Sequence, residues 1–413
     1  MTKAPQRMKP NILIIVVAVN KDSAINTGTM PVYDVIIVGA GPAGSSAAYD
    51  LASAGANVLI IDKENFPRDK PCGGGLTTKT INALRFDVSE VIYQECNRIS
   101  LTNNFRHPVK DTASQTIAYM TKRRDFDQFC LDKALKAGAR FSVMSITHIT
   151  GQNGQAVTLM AQDGRKITTS FVVAADGAKS TVRRIALSKK DRLRYAFALE
   201  GRVAIPEKYD RQRLDFDFFM VPHGYGWVFP KGDHLNIGIG NFRDKSEKGK
   251  KISKKILTEY CRKKFGHAEI EDVIGHPLGG GGWSAKVSSD RILFVGDAAG
   301  TVDSLLGEGI YNAIISGQAA ARAILEAMKH NNCPMVLTQE YEALFNVIRK
   351  DLAFCNRVGK GFYGFPSLFY LSLLISPLRR RLLESFASGK TVSGKKGLTG
   401  RIFNFPETLL SAD

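Results

Sequence analysis

The residues with the clearest chemical purpose form the run Gly39-Ala40-Gly41-Pro42-Ala43-Gly44. Glycines at this spacing suit a phosphate-bearing ligand. Gly39 permits a tight turn, Gly41 lets backbone amides approach a pyrophosphate, and Gly44 allows a helix to pack closely. The pattern carries weight only between a buried strand and a helix, and that context is present. Val35-Ile36-Ile37-Val38 precedes it, and an alanine-rich helical stretch runs on to Gly55. A second apolar strand, Val58-Leu59-Ile60-Ile61, ends at Asp62, 62 − 44 = 18 positions beyond the last glycine, where the ribose hydroxyls of a dinucleotide need an acceptor. The helix N-terminus adds positive potential for the phosphates. The expectation is a βαβ dinucleotide site with Pro42, Ala43 and Lys63 beside it; the alternative is a glycine turn with no ligand.

Two later segments repeat the arrangement of buried strand and turn. Val172-Val173-Ala174-Ala175-Asp176-Gly177 leads into a D-G-x-x-S-x-x-R turn that ends at Arg183. Ile292-Leu293-Phe294-Val295-Gly296-Asp297 ends in a Gly-Asp pair and is followed by Gly307-Glu308-Gly309-Ile310. Together with the first run, these motifs resemble the three fingerprints of FAD-dependent enzymes that share the para-hydroxybenzoate hydroxylase fold. The order is the same, over residues 31 to about 330.

That resemblance implies FAD as cofactor. FAD is longer than NAD, so a second strand end must offer a carboxylate, the part implied for Asp297 beside Gly296. The helix beginning near Glu308, through Gly307, Gly309 and Ile310, would aim its amides at the flavin edge that gains negative charge on reduction. The resemblance also implies cofactor roles for Asp176 and for Arg123 in Arg123-Arg124-Asp125-Phe126-Asp127. Read alone, these residues are equally a strand-end turn and a helix-start charge cluster.

Two further stretches narrow the resemblance to the geranylgeranyl reductase family. Phe66-Pro67-Arg68-Asp69-Lys70-Pro71-Cys72-Gly73-Gly74-Gly75 is similar to its FPR-x-K-x-CGGG loop, and Tyr225-Gly226-Trp227-Val228-Phe229-Pro230 to its Y-x-W-x-FP signature. The family implies reduction of isolated double bonds in a polyprenyl chain, with a prenyl lipid as substrate and NADPH, ferredoxin or a quinol as electron donor. One departure is Asp303-Ser304-Leu305-Leu306, which stands where many members carry proline and threonine.

Cys72 has two readings, a proton source or electronic modulator near the flavin, or an inert small hydrophobe. Gly74 would let backbone approach the flavin face or substrate. Tyr225 and Trp227, two apart on a strand, share one face and either line a prenyl channel or pack a core. The same fold hosts flavin monooxygenases, halogenases and non-catalytic prenyl carriers. A halogenase would carry W-x-W-x-I-P, whereas this chain has Tyr225 and Phe229 at the first and fifth places.

The expected fold class is α/β, a Rossmann-type FAD-binding domain with an inserted antiparallel β-sheet domain and a helical C-terminal tail. The cofactor domain is expected over 31–190 and 285–330, the substrate-side sheet over 191–284, and the helical region with a basic tail over 331–413. A lysine-rich helix is expected from Gly249 to Phe265. Residues 1–30, where Lys3, Arg7 and Lys9 precede the apolar run Ile12 to Val19, read as a disordered or mis-started extension.

Composition sets outer limits. The 413 residues, 44% of them hydrophobic, suit a large globular core, and six scattered cysteines without a C-x-x-C pair give no zinc site and point to a reducing, cytoplasmic setting. Fifty-seven basic against 39 acidic residues give +18, concentrated from Arg243 to Lys264 and from Arg379 to Arg401. Nucleic acid is not expected, because neither segment forms a recognition module. An anionic membrane surface fits better, because 18 uncharged residues from Gly361 to Leu378 adjoin Arg379, Arg380 and Arg381. Pro366 leaves only Ser367 to Ser376 as an apolar piece, too short to span a bilayer.

Overall fold

The computed structural model describes residues 32–151, 156–242, 252–391 and 393. The expected extension over 1–30, the start of the lysine-rich helix and most of the basic tail lie outside the described residues. The helices are α1 (Pro42–Ser53), α2 (Thr78–Ala83), α3 (Arg123–Lys136), α4 (Thr181–Ala186), α5 (Lys254–Phe265), α6 (Ile310–Lys329), α7 (Pro334–Gly364), α8 (Pro366–Leu374) and α9 (Ser376–Ala387).

Residues 35–38 are almost fully buried because the strand Val32–Val38 lies at the centre of an eight-stranded sheet. It pairs in parallel with Val58–Asp62 on one side and Lys166–Ala174 on the other, and the latter pairs in parallel with Ile292–Phe294. A strand covered on both faces must be continuously apolar. All three glycine-bearing turns follow C-terminal ends of these parallel strands, where open α/β sheets bind ligands.

Small residues set how closely the layers pack. A Cβ on Gly44 would lie 1.9 Å from the Gly39 carbonyl oxygen, and one on Gly317 would lie 2.2 Å from that of Ala43. Helices α1 and α6 therefore meet backbone to backbone.

The second large sheet has seven strands. Glu271–Gly280, Arg194–Val203, Leu235–Asn241, Gly224–Pro230 and Arg213–Phe218 run antiparallel in that order. Arg98–Asn103 then adds in parallel to Arg213–Phe218, and Arg106–Thr112 closes the edge. Segment 191–284 thus does not supply the whole sheet, since two strands come from residues 98–112. Arg98–Asn103 alternates polar and apolar residues, but nothing in the chain order shows which sheet it joins; the neighbouring strand gives it its place.

One face of this sheet, with Val228, Ile237 and Ile239, packs on Leu257 and Tyr260 of α5. Ser253 caps the start of α5, and Gly266 ends it at φ +80°. The helix thus begins at Lys254, five residues beyond a start at Gly249. The opposite face carries Tyr225, Trp227, Phe216 and Phe218, which pack against residues of α7, α8 and α9. Pro366 and Pro377, each in the first turn of its helix, divide the tail into three.

The α1–α6 contact yields a prediction. Gly317→Val, measured by thermal unfolding, lowers stability by roughly 1–3 kcal/mol through overpacking. Gly364→Ala, where an added Cβ meets nothing within 4 Å, leaves the melting temperature nearly unchanged.

Candidate active site

A cavity of about 520 Å³ is lined by both large sheets and by the C-terminal helices. At one end Gly41, Pro42 and Ala43 from the first turn meet Gly296 and Asp297 from the third. Gly307, Gly309 and Ile310 at the start of α6 and Arg123 at the start of α3 join them. Cys72, Gly74, Tyr225 and Trp227 lie along the same wall. Segments more than 200 residues apart in sequence therefore converge on one space.

Five expected site residues do not line it. Gly39 and Gly44 serve the turn itself: a Cβ on Gly39, whose φ is +108°, would lie 2.3 Å from the Ala175 carbonyl oxygen. Asp62 stands at the strand end beside the glycine run, its carboxylate accepting from the Ala40 N–H at 2.8 Å and the Glu64 N–H at 3.0 Å. Lys63 points into solvent, 4.0 Å from Glu64. The Asp176 carboxylate accepts the Thr181 and Val182 amides at 2.7 and 3.1 Å, because the first N–H groups of α4 have no partner within the helix.

Charge at the glycine end is predominantly positive. Arg123 makes a bidentate pair with the fully buried Asp127 at 2.6 and 2.7 Å, and Arg68 reaches the same carboxylate at 3.1 Å. Burial alone would lower the Arg123 pKa; Asp127 more than reverses this. Lys70 lies in the same wall, its pKa lowered by burial and then by Arg123. Burial, Lys70 and Arg123 likewise push His276 down to about 4.

This arrangement fits FAD. A Cβ added at Gly41 would meet only the Arg68 guanidinium, at 3.7 Å, so the bare backbone leaves room between the start of α1 and a cation for an anionic diphosphate. Asp297 offers a carboxylate at the cavity while accepting the Gly279 N–H at 3.2 Å.

The Cys72 peptide is held on both sides. Its N–H donates to Glu200 Oε1 at 2.7 Å, and its carbonyl accepts from Lys231 Nζ at 2.7 Å. Burial raises the Glu200 pKa and lowers that of Lys231, disfavouring the charged form of each, while the attraction between the two opposes both shifts. Gly74, with φ +72°, passes so near that a Cβ would lie 2.2 Å from the Thr121 carbonyl oxygen and 2.4 Å from Lys231 Nζ. The Gly74 N–H faces Cys72 Sγ at 3.4 Å.

Trp227 lies across Gly238, where a Cβ would be 2.1 Å from its ring, and Nε1 donates to Asn236 Oδ1 at 2.7 Å. The Tyr225 hydroxyl donates to the Leu306 carbonyl. Both therefore pack and line the cavity at once.

The unusual Asp303 organises the loop before α6. One carboxylate oxygen accepts the Leu305 and Leu306 amides at 2.8 and 2.7 Å, and the other accepts the Glu308 amide at 2.8 Å. Burial lifts its pKa to about 6. Glu308 itself pairs with the buried Lys79 at 2.6 Å.

Glu200, Lys231, Lys70 and His276 were not singled out from sequence, and Asp303 was noted only as a departure from the family pattern. The usable signals were Lys231 directly after Phe229-Pro230, Lys70 inside the Cys72 loop, and Asp303 at the departure from the family pattern.

A family model described as "FAD binding domain" matches residues 32–343. The digeranylgeranylglycerophospholipid reductase of Methanocaldococcus jannaschii is 31% identical over 324 residues, 75% of this chain and 81% of that protein. The geranylgeranyl diphosphate reductase of Rhodobacter capsulatus is 32% identical over 312 residues, 72% of this chain and 76% of that one. In structure, the chain resembles a geranylgeranyl bacteriochlorophyll reductase-like protein from Thermoplasma acidophilum, with TM-score 0.71 and 22% identity over 89% of this chain and 95% of that one. A flavin-dependent brominase, Bmp2, shares the fold at TM-score 0.64. Fold, site and relatives together define an FAD-dependent oxidoreductase. Within that class the chain belongs to the geranylgeranyl reductase family.

The depressed His276 pKa makes acid stability testable. Between 6.5 and about 4 the unfolded chain holds a proton on this ring that the folded chain refuses, so its contribution is lost as pH falls through that window. Asp303 acts oppositely, since its raised pKa favours the folded state below about 6. His276→Gln should therefore gain stability relative to the unsubstituted protein as pH drops from 6.5 to 4, read as the difference between their melting temperatures.

Proposed function

We propose that the protein saturates C=C bonds of a polyprenyl chain, with reduced FAD as the hydride source. The observation that supports this best is the single cavity joining the glycine turns and Asp297 to a wall of apolar and aromatic side chains, including Phe216, Phe218, Phe362 and Phe369. An isolated double bond has no polar handle. Its reduction calls for a dry, close-fitting channel with hydride delivery to one carbon and a proton to the next.

In this reading Gly41, Pro42, Ala43 and the Arg68–Arg123 pair hold the diphosphate, with Asp62 at the adenosine end. Asp297 and Gly309 serve the middle and the α6 amides the flavin ring. FAD, when bound, supplies the two-electron chemistry. Tyr225, Trp227 and Phe229 press the chain against that end of the cavity and exclude water. Glu200 and Lys231 hold the Cys72 peptide, fixing its thiol at the cavity wall as proton donor to the second carbon. An external reductant, NADPH, ferredoxin or a quinol, renews the flavin.

Anaerobic incubation of the flavin-loaded protein with chemical reductant and a geranylgeranyl lipid, followed by mass spectrometry, tests the reading. A gain of two hydrogens per bond supports it. Product formed only with oxygen, carrying an added oxygen atom, would indicate the monooxygenase chemistry of the same fold. Protein that releases no flavin on heating would fit a prenyl carrier. Cys72→Ala should slow product formation by about 10²-fold with FAD content retained, and Cys72→Ser should recover part of the rate. An unchanged rate would remove Cys72 from the proton path.

A further inference from the structure

Thirteen large hydrophobic side chains are exposed among the described residues, and seven of them fall between Phe365 and Leu382. On α8 the exposed apolar positions are Leu368, Leu371 and Leu374, at 67%, 58% and 39%. They recur every third residue and so form one stripe. Ile375, Leu378 and Leu382 continue it across the turn and along α9, and Arg380, 3.6 Å from Asp111 Oδ1, and Arg381 are exposed beside it.

This exposure is built in, because the other side of the hairpin is tightly anchored. The Tyr370 hydroxyl donates to the Leu101 and His107 carbonyls at 3.0 and 2.8 Å. Buried Arg379 pairs with Asp111 at 2.9 Å and donates to the Leu373 carbonyl at 2.8 Å. Glu384, the acid of α9, is held by the Ser114 amide and hydroxyl. The stripe cannot turn inward without breaking these contacts. The inward side, Phe369, Leu373, Leu383 and Phe386, lines the cavity, and Leu382 is both exposed and cavity-lining. The cavity thus reaches the surface at this hairpin.

We infer that the α8–α9 hairpin docks on an anionic lipid bilayer and is the portal through which the prenyl chain passes from the membrane into the cavity. The occupant follows from three features together. The stripe is purely aliphatic and aromatic, Arg380 and Arg381 stand exposed beside it while Glu384 is tied to Ser114, and the cavity behind it is apolar. A helix lying in the interface buries such a stripe at the acyl boundary while arginines extend to the phosphates. Docking does not require a span, and no described helix is long and apolar enough for one. The portal role rests on the prenyl-reductase reading; the docking does not.

The test uses the full chain loaded with FAD. Vesicles of phosphatidylcholine with and without phosphatidylglycerol are floated with the unsubstituted protein, with Leu368→Ser/Leu371→Ser/Leu378→Ser, and with Arg380→Glu/Arg381→Glu. None of the substituted residues lines the cavity. The expected result is co-flotation of the unsubstituted protein with anionic vesicles, at least a tenfold loss in the triple variant, and a loss in the double variant that high salt reproduces. Flavin absorbance should stay unchanged in all three. Absence of flotation, or equal flotation of the triple variant, overturns the inference. A concentration-dependent dimer that the triple variant abolishes also overturns it, because a second copy then covers the face. Turnover separates the readings: with detergent-dispersed lipid the triple variant should match the unsubstituted rate, and with vesicle-borne lipid it should fall. No product in either format refutes the reductase reading and leaves the flotation result standing.

Discussion

The architecture of the site depends on one peptide group. The Cys72 N–H and carbonyl are gripped by Glu200, in the seven-stranded sheet, and Lys231, directly after one of its strands, while Cys72 belongs to the loop that follows the βαβ unit. A buried carboxylate and a buried ammonium are tolerated only when each meets a strong hydrogen-bond partner. Here the partners are the two halves of one residue's backbone. Loop and sheet therefore hold a fixed relation, and Gly73-Gly74 run past Phe229 and Lys231, where a Cβ would lie 3.0 Å from the Phe229 ring and 2.4 Å from Lys231 Nζ.

The seven-stranded sheet separates two jobs by its alternation. Its Val228, Ile237 and Ile239 face is an ordinary core beneath α5. Its Tyr225, Trp227 and Phe229 face is cavity wall, with Gly238 supplying the flat surface on which the indole rests. The same economy governs the tail, where α8 and α9 line the cavity with one side and present a second apolar side outward. Asp303 adds a local solution: its carboxylate takes three amides of the loop that delivers Gly307 and Gly309 to the start of α6. The departure from the family's proline and threonine therefore leaves the loop ordered by hydrogen bonds in place of a rigid ring.

Much of the nucleotide-binding half was legible from residue order. A strand buried on both faces has to be continuously apolar, a backbone approaching phosphate has to be glycine, and these local demands produce local patterns. Asp297, Arg123 and the Tyr225–Phe229 signature were readable for the same reason. Lys63 and Asp176 show the limit. Both follow a motif strand, yet one points to solvent and the other caps α4, outcomes set by side-chain direction and helix-end hydrogen bonding.

Residue order by itself determined the βαβ opening, the three strand-end turns, the FAD class and the aromatic strand, because each is a short-range consequence of chain geometry. Tertiary structure alone decided that residues 98–112 join the second sheet and that Glu200 and Lys231 meet Cys72 from 128 and 159 positions away. It also decided that the tail roofs the cavity while keeping an apolar stripe outside. A lone Glu, a lone Lys or a leucine-rich decapeptide carries no record of its partner. Burial and contact across the fold give those residues their meaning.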